Sequence, residues 1–98
     1  MSQPLSLTTA ATEDLREARR WYLEQAPHVR ADFRHEVRAA QGRIAENSRQ
    51  YPVVYREIRR ALVHRFPYAI FYRVDVDSIR VVAIVHQARD PRIWKRRR

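Results

Sequence analysis

The sequence predicts an α+β fold, a two-layer sandwich in which a helical hairpin packs on one face of a mainly antiparallel sheet. Three observations support this prediction. A short alternating segment stands near the N-terminus, and two stretches between about residues 10 and 46 repeat their apolar residues with the period of a helix. After residue 52 the period changes to that of a strand. The predicted order is therefore strand, helix, helix and then three strands, with one extra short strand allowed.

The first strand and the first helix are predicted close to the N-terminus. Leu5 and Leu7 alternate with polar neighbours, and Thr8 or Thr9 follows as a residue that can cap a helix. The apolar residues of the next stretch recur at steps of four and three: Ala11, Leu15, Ala18 and Tyr22. That spacing puts them on one face of a helix from about residue 10 to 25.

A second amphipathic helix is predicted from about residue 28 to 46. Pro27 interrupts the first pattern, and the second begins at once, with Phe33, Val37, Ala40 and Ile44 on one face. Because the link is only a few residues long, the two helices must fold back on each other as an antiparallel hairpin. Their apolar faces then share one layer, which has to be the sheet formed by the rest of the chain.

The remaining strands follow from the alternation of side chains. They are predicted over residues 61 to 66, 68 to 75 and 79 to 86, with weaker alternation over residues 54 to 58. The run from 79 to 86 is apolar on both faces, so it is predicted to lie centrally in the sheet. Short links make these strands an antiparallel meander, and a basic tail follows over residues 87 to 98.

Length and charge limit the class of protein. With 98 residues, 45% of them hydrophobic, and one glycine, the chain is predicted to be a single folded domain over residues 1 to 98. Its 20 basic residues exceed its 11 acidic ones, and residues 54 to 98 carry +8 of the total of +9. The electrostatic field of this excess positive charge attracts phosphate polymers or an acidic protein partner. Arginine outnumbers lysine by 19 to 1, which favours bidentate contacts to phosphate or carboxylate.

Several classes of function are excluded by residues that the sequence lacks. Without cysteine, disulfides, thiolate metal sites and thiol nucleophiles are excluded, and the histidines have no metal-ligand spacing, so no metal is expected. Gly42 is the only glycine, which excludes a glycine-rich phosphate loop, and no cofactor is expected. No apolar run approaches the roughly 20 residues of a membrane span, and the N-terminus does not resemble a signal peptide. The cytoplasm is therefore the expected location.

Several motifs in a fixed order resemble one protein family. The first helix carries the pattern A-x-x-D-L-x-x-A-x-x-W-Y from Ala11 to Tyr22. The segment Arg65-Phe66-Pro67-Tyr68 enters a strand, and the ending H-x-x-R-D-P-x-x-W runs from His86 to Trp94. Together these pieces resemble the RelE/ParE superfamily, the toxins of bacterial type II toxin-antitoxin pairs, and the ParE branch most closely. The resemblance implies the same order of strands and helices that the periodicity predicts.

This superfamily divides by target, which leaves three functions open. The resemblance to ParE-like toxins implies a protein that poisons DNA gyrase by binding and is neutralised by an antitoxin with an acidic C-terminal segment. The first alternative is a RelE-like toxin, which cuts messenger RNA on the ribosome. The second is a degenerate member that binds antitoxin and has lost toxicity. Nucleases of this superfamily commonly place more titratable or aromatic groups in the tail, and this tail has no tyrosine, which favours gyrase as the target.

The candidate site residues differ between these functions. A metal-free nuclease needs a base, an acid and cations around the phosphate, and His86 and Arg65 are the candidates for these roles. A binding inhibitor needs no catalytic residue. Its predicted target-binding residues are Arg59, Arg60, Arg65, Arg89, Arg92, Trp94, Lys95 and Arg96. Trp94 is expected mainly to pack on the domain, whereas the tail arginines are expected to be solvated.

Overall fold

The elements of the chain follow the predicted order in a computed structural model that describes residues 2 to 97. The strands are β1 (Leu5–Leu7), β2 (Val53–Tyr55), β3 (Ile58–Leu62), β4 (Tyr68–Val74) and β5 (Ile79–His86), and the helices are α1 (Thr9–Gln25), α2 (Arg30–Glu46) and α3 (Arg92–Lys95). The extra short strand that the sequence allowed is β2. Arg98, which the sequence assigns to the basic tail, lies outside the described residues, as does Met1.

The helical hairpin buries the two faces that the sequence predicts. Thr8 caps α1, since its Oγ1 accepts a hydrogen bond from the backbone N–H of Ala11 at 3.1 Å. The buried residues are Ala11, Leu15, Ala18 and Tyr22 of α1 and Phe33, Val37, Ala40 and Ile44 of α2. α2 begins at Arg30, two residues later than predicted. Pro27 disfavours a helical conformation at Ala26, whose φ is −151°, and the chain makes a 3₁₀ turn before α2 begins.

The five strands form one sheet in the order β1-β5-β4-β3-β2. The strands from β2 to β5 pair antiparallel, whereas β1 runs parallel to β5, with Leu5 opposite Ile79 and Leu7 opposite Val81. Because β1 has three residues, it covers only the first part of β5 on that edge. Within the described residues, no strand lies beside this edge of β5 from Val82 onward.

One predicted strand is wrong in its second half. The alternation over residues 61 to 66 belongs to a strand only as far as Leu62, where β3 ends. The chain then turns through Arg65, whose φ is +70°, and returns as β4. Pro67 has no N–H to donate to a neighbouring strand, so a sheet strand is disfavoured there. Phe66 packs against the helix-side core instead of continuing the alternation.

The sheet is covered on both faces. The helix-side core holds the bulkiest fully buried side chains, Tyr72 and Phe33 among them, and the rings of Tyr22, Phe33 and Phe66 are in mutual contact. A second core lies on the outer face and consists of Ile58, Ala69, Phe71, Val82, Ala83, Val85 and Trp94. β5 is therefore buried on both faces, as its apolar run predicts.

Two kinds of feature do not occur within residues 2 to 97. None of the helices there is long and apolar enough to cross a membrane. The same residues contain no group of three or more histidine, aspartate or glutamate side chains that could hold a metal ion.

Tyr72 connects the helix-side core to the turn after α2. Its side chain is 0% exposed and its hydroxyl donates a hydrogen bond to the Ser48 carbonyl at 2.6 Å. Burial raises the pKa of Tyr72 to about 12. In the unfolded chain the same hydroxyl ionises near its ordinary pKa of about 10. The stability that this group contributes is therefore full below pH 10 and is lost as the pH rises toward 12.

Ionisation of Tyr72 should lower the free energy of unfolding of the wild type by about 3 kcal/mol between neutral and strongly alkaline pH. We expect Tyr72→Phe not to show this loss. At neutral pH the variant should be less stable by about 1 kcal/mol because one hydrogen bond is gone. Urea unfolding across the pH range measures both effects, with Tyr55→Phe on the outer face as the control. Tyr22 and Tyr68 will leave a residual slope, because burial raises their pKa values as well. A variant as alkali-sensitive as the wild type would contradict the assignment to Tyr72.

Candidate target-binding surface

The C-terminal segment is folded onto the outer face of the sheet by Trp94. The indole is 7% exposed and stacks on Phe71, with ring centroids 4.1 Å apart and planes 14° from parallel. Tyr55 meets the same indole edge-on at 6.3 Å. Trp94, predicted as a target-binding residue that mainly packs, is thus an anchor for the cations around it, and little of its ring is free for a partner.

An ion pair between Arg97 and Asp14 fastens the end of this segment to α1. The guanidinium of Arg97 contacts both carboxylate oxygens of Asp14 and donates to the Val82 carbonyl at 3.1 Å. Asp14 also accepts a hydrogen bond from the backbone N–H of Ile84 at 3.0 Å. These two side chains therefore satisfy backbone groups of β5 just where β1 ends. The expectation that the tail arginines are solvated is wrong for Arg97.

A cavity of about 240 Å³ lies between the β2–β3 turn and the C-terminal segment, and we call it the tail cavity. Its lining residues are Tyr55, Arg56, Glu57, Ile58, Arg73, Lys95, Arg96 and Arg97. Lys95 and Arg96 are among the predicted target-binding residues. Arg56 and Arg73 were not predicted, and they join the cavity because the turn and the end of β4 lie beside the docked tail.

A second cavity of about 210 Å³ lies further along the outer face, and we call it the histidine cavity. Its lining residues are Arg60, Leu62, Ala69, Phe71, His86, Gln87, Arg89, Pro91 and Trp94. Alternation along β3 puts Arg60 and Leu62 on the same face as Ile58 of the tail cavity. The structure thus brings Arg60, Arg89 and Trp94, three predicted target-binding residues, together with His86.

His86 is the last residue of β5 and its side chain is exposed. The backbone N–H of Ala88 donates to its Nδ1 at 3.0 Å, and the ring meets Tyr68 edge-on at 5.5 Å. With Nδ1 accepting, the proton of a neutral imidazole lies on Nε2, which is then a donor. The ring can accept a substrate proton only after this hydrogen bond breaks.

Arg65 and His86 contact different groups. Its guanidinium approaches Asp32 at 3.6 Å and Glu36 at 3.7 Å, both on α2, and stands over the Phe66 ring at 6.0 Å. Its side chain is 62% exposed, so these ion pairs are weak. His86 lines the histidine cavity and also a cavity of about 170 Å³ beside α1, which Glu17 lines as well, and Arg65 lines neither of them. The two candidates for nuclease chemistry therefore have different partners, the carboxylates of α2 for Arg65 and the backbone N–H of Ala88 for His86.

The other two predicted target-binding arginines make local contacts. Arg59 points to the helix side and donates to the carbonyls of Arg49 at 3.2 Å and Tyr51 at 2.6 Å, which holds the turn after α2 against β3. Arg92 is exposed and donates twice to the Asp90 carboxylate, at 2.9 and 2.6 Å. These hydrogen bonds lower the pKa of Asp90. Arg59 is thus structural, whereas Arg92 remains on the surface with its charge compensated.

A cationic cluster that the sequence analysis missed lies on the helical hairpin. Arg19 of α1 and Arg34 and Arg38 of α2 line one small cleft. Burial, followed by the charges of Arg34, Arg38 and Arg16, lowers the pKa of Arg19. Among residues 2 to 97, no carboxylate lies within 4.0 Å of the cationic groups of Arg19, Arg34 or Arg38. We call these three residues the hairpin cluster.

Comparison with known proteins identifies the family. A family model for the ParE toxin of the type II toxin-antitoxin system parDE matches residues 5 to 91. The chain belongs to the ParE toxin family. Among solved structures, a chain of the chromosomal ParDE toxin-antitoxin system from P. aeruginosa is similar, with a TM-score of 0.76 at 18% identity, covering 87% of this chain and 96% of that one. At that identity the similarity shows the fold. No curated protein matches the sequence.

The ParE family match confirms the class of protein that the motifs predict, a toxin of a type II toxin-antitoxin system. The match ends at residue 91, so α3 and the cations after it lie outside the matched region. Lys95, Arg96 and Arg97 of the tail cavity are among these residues. The family model therefore covers the core of the fold, and the charged residues of the tail cavity that follow residue 91 are not part of the match.

Proposed function

We propose that this ParE-family toxin inhibits DNA gyrase by binding it, and that a cognate antitoxin neutralises the toxin in the cytoplasm. The observation that carries the proposal is that the two residues on which nuclease chemistry would depend are engaged by different partners. Arg65 pairs with α2, and the Nδ1 of His86 is occupied by the turn that follows it. The histidine cavity presents cations and no carboxylate that could act as a general base, and such a surface suits inhibition by contact.

One observation favours the alternative, a ribosome-dependent endonuclease that cuts messenger RNA. His86, Arg60 and Arg89 line the same cavity, and metal-free RNA cleavage needs a proton-transfer group next to cations that stabilise the phosphate. This arrangement lacks a base, because the free nitrogen of the neutral His86 ring is a donor. The gyrase proposal is therefore preferred, with the endonuclease as the second candidate.

Antitoxin binding is supported by the hairpin cluster. Like charges that lie close together on the surface, with no carboxylate within 4.0 Å, are unfavourable in the isolated protein. An acidic segment laid across the cluster would compensate these charges and would also be steered toward them by long-range attraction. The proposed antitoxin is thus a protein with an acidic segment that orders on the toxin, as short disordered segments commonly do on binding.

The two candidate functions separate when the toxin alone is induced in a bacterial host and DNA and messenger RNA are followed in parallel. Gyrase inhibition predicts filamentation, an SOS response and trapped gyrase-DNA cleavage complexes while transcripts remain intact. Rapid, translation-dependent loss of transcripts without DNA damage would support the endonuclease. Normal growth, together with retained antitoxin binding, would identify a degenerate member.

The variant His86→Gln, induced in the same experiment, tests whether His86 takes part in catalysis. Glutamine keeps hydrogen-bonding capacity and removes proton transfer, so we expect the variant to retain toxicity at unchanged thermal stability. An endonuclease that uses His86 as acid or base should instead lose about 10²- to 10⁴-fold of its cleavage rate. Abolished toxicity in a folded variant that still binds antitoxin would show that His86 does chemistry.

A further inference from the structure

The tail cavity concentrates positive charge, and three of its cationic residues, Arg56, Arg73 and Arg97, are not among the predicted target-binding residues. Five cationic side chains from three separate segments line about 240 Å³, and Glu57 is the only acidic residue among the lining residues. We propose that the tail cavity is a phosphate-binding site for the backbone of duplex DNA. This inference goes beyond the proposed function, because it concerns the toxin and DNA without gyrase.

Four of the five cations of the tail cavity are positioned before any ligand arrives. Arg73 is held by Asp75 at 3.4 Å, and Arg97 is held by Asp14. Lys95 stands over the Tyr55 ring, with Nζ 5.1 Å from the centroid, and the Arg56 guanidinium approaches the same ring at 5.3 Å. A site with positioned charges loses little side-chain freedom on binding.

Three of these cations have no compensating charge of their own. Among residues 2 to 97, no carboxylate lies within 4.0 Å of the cationic groups of Arg56, Lys95 or Arg96. Each group can therefore contact a phosphate oxygen without first giving up an ion pair. The release of counterions from the DNA would supply the driving force for such contacts.

The size of the cavity and its neighbour indicate a polymeric ligand. At about 240 Å³ the tail cavity is smaller than the roughly 300 to 1,000 Å³ of sites that enclose a whole small molecule. The histidine cavity on the same face adds Arg60 and Arg89, with α3 between the two cavities. One phosphate group could occupy the tail cavity while neighbouring phosphates of the same chain meet these further cations.

The aromatic residues favour a duplex over a single strand. Single-stranded nucleic acids are held largely by bases that stack on exposed aromatic rings. Here Trp94 is buried against Phe71, and the Tyr55 ring is approached by Lys95 and Arg56. In a duplex the bases are already stacked, so contacts to the backbone are sufficient.

An acidic peptide fits the tail cavity less well. Peptides that fold on a protein surface are held by apolar anchors in pockets or grooves. The only aliphatic lining residue is Ile58, which is already buried, and Glu57 would repel acidic side chains. The lining therefore offers charge to a polyanion and little apolar surface to a folded segment.

The test is the binding of purified, antitoxin-free toxin to a short labelled DNA duplex, followed by fluorescence anisotropy over a series of salt concentrations. We expect the wild type to bind with a Kd of about 10⁻⁴ to 10⁻⁶ M near physiological salt. Arg56→Gln and Arg96→Gln should each weaken binding about five-fold at that salt and flatten the log-log salt slope by about 1. Arg20→Gln, an exposed arginine on α1, is the matched control and should bind like the wild type.

Several results would overturn the proposal. The first is that Arg56→Gln and Arg96→Gln bind DNA with wild-type affinity and salt dependence, and the second is that Arg20→Gln loses as much affinity as they do. Tighter binding to single-stranded than to duplex DNA would also contradict it, as would competition by polyglutamate that is as effective as competition by unlabelled duplex. Absence of DNA binding by the wild type at low salt would do the same. Since the assay contains neither gyrase nor antitoxin, DNA binding and gyrase inhibition can succeed or fail independently.

Discussion

Replacing Trp94 by alanine should lower the free energy of unfolding by about 3 to 5 kcal/mol. The indole is 7% exposed and fills the outer core against Phe71, so its removal leaves a cavity and uncovers apolar surface of β4 and β5. Small domains are stable by only about 5 to 15 kcal/mol, so the loss would be a large part of the total. Urea unfolding of the purified variant measures it directly.

The second tryptophan provides the control. Trp21 is 53% exposed on α1, and Trp21→Ala should cost less than about 1 kcal/mol, because a largely solvated side chain loses little burial. Trp94→Ala should also weaken DNA binding without removing a charge, since Trp94 holds Lys95 and Arg96 at the tail cavity. Equal, small effects of the two substitutions would contradict the docking of the C-terminal segment.

Local patterns predicted most of the fold, and non-local pairing explains where they failed. The buried residues of α1 and α2 are all among those predicted for their apolar faces, because helical period and burial are properties of one segment. The end of β3 and the parallel pairing of β1 depend on which segments meet across the sheet. A β-bulge has the same origin: Phe71 pairs with Ala83 and Tyr72 with Val81, which leaves Val82 as an extra residue.

The candidate site was predicted only in part, for the same physical reason. Charge and position in the tail were enough to select Lys95 and Arg96, and the structure places both at one cavity. The partner of Arg97 is Asp14, 83 residues away, and no spacing in the sequence connects them. Arg56 and Arg73 join the tail cavity only through the pairing of their strands.

The hairpin cluster, by contrast, was present in the sequence pattern. Arg34 and Arg38 stand four residues apart in the predicted second helix, the spacing at which like charges repel on one helical face. The net charge of residues 1 to 53 does not reveal these arginines. The acidic residues of that half lie elsewhere on the surface, and their negative charge nearly cancels the positive charge. Charge counted along each helical face would have found the cluster.

Replacing Arg38 by glutamine should therefore shift stability and antitoxin binding in opposite directions. Relief of repulsion from Arg34 should raise the free energy of unfolding by about 0.2 to 0.5 kcal/mol. Loss of a charge-assisted contact to an acidic segment should weaken antitoxin binding about 10- to 100-fold, which corresponds to about 1.5 to 3 kcal/mol.

The probe is the product of the gene immediately upstream, titrated onto the purified toxin, with Arg49→Gln as the control for net charge. We expect that control to bind like the wild type, because Arg49 lies in the turn after α2, outside the cluster. Unchanged affinity in Arg38→Gln, or an equal loss in Arg49→Gln, would remove the hairpin cluster from the antitoxin interface while leaving membership of the toxin family intact.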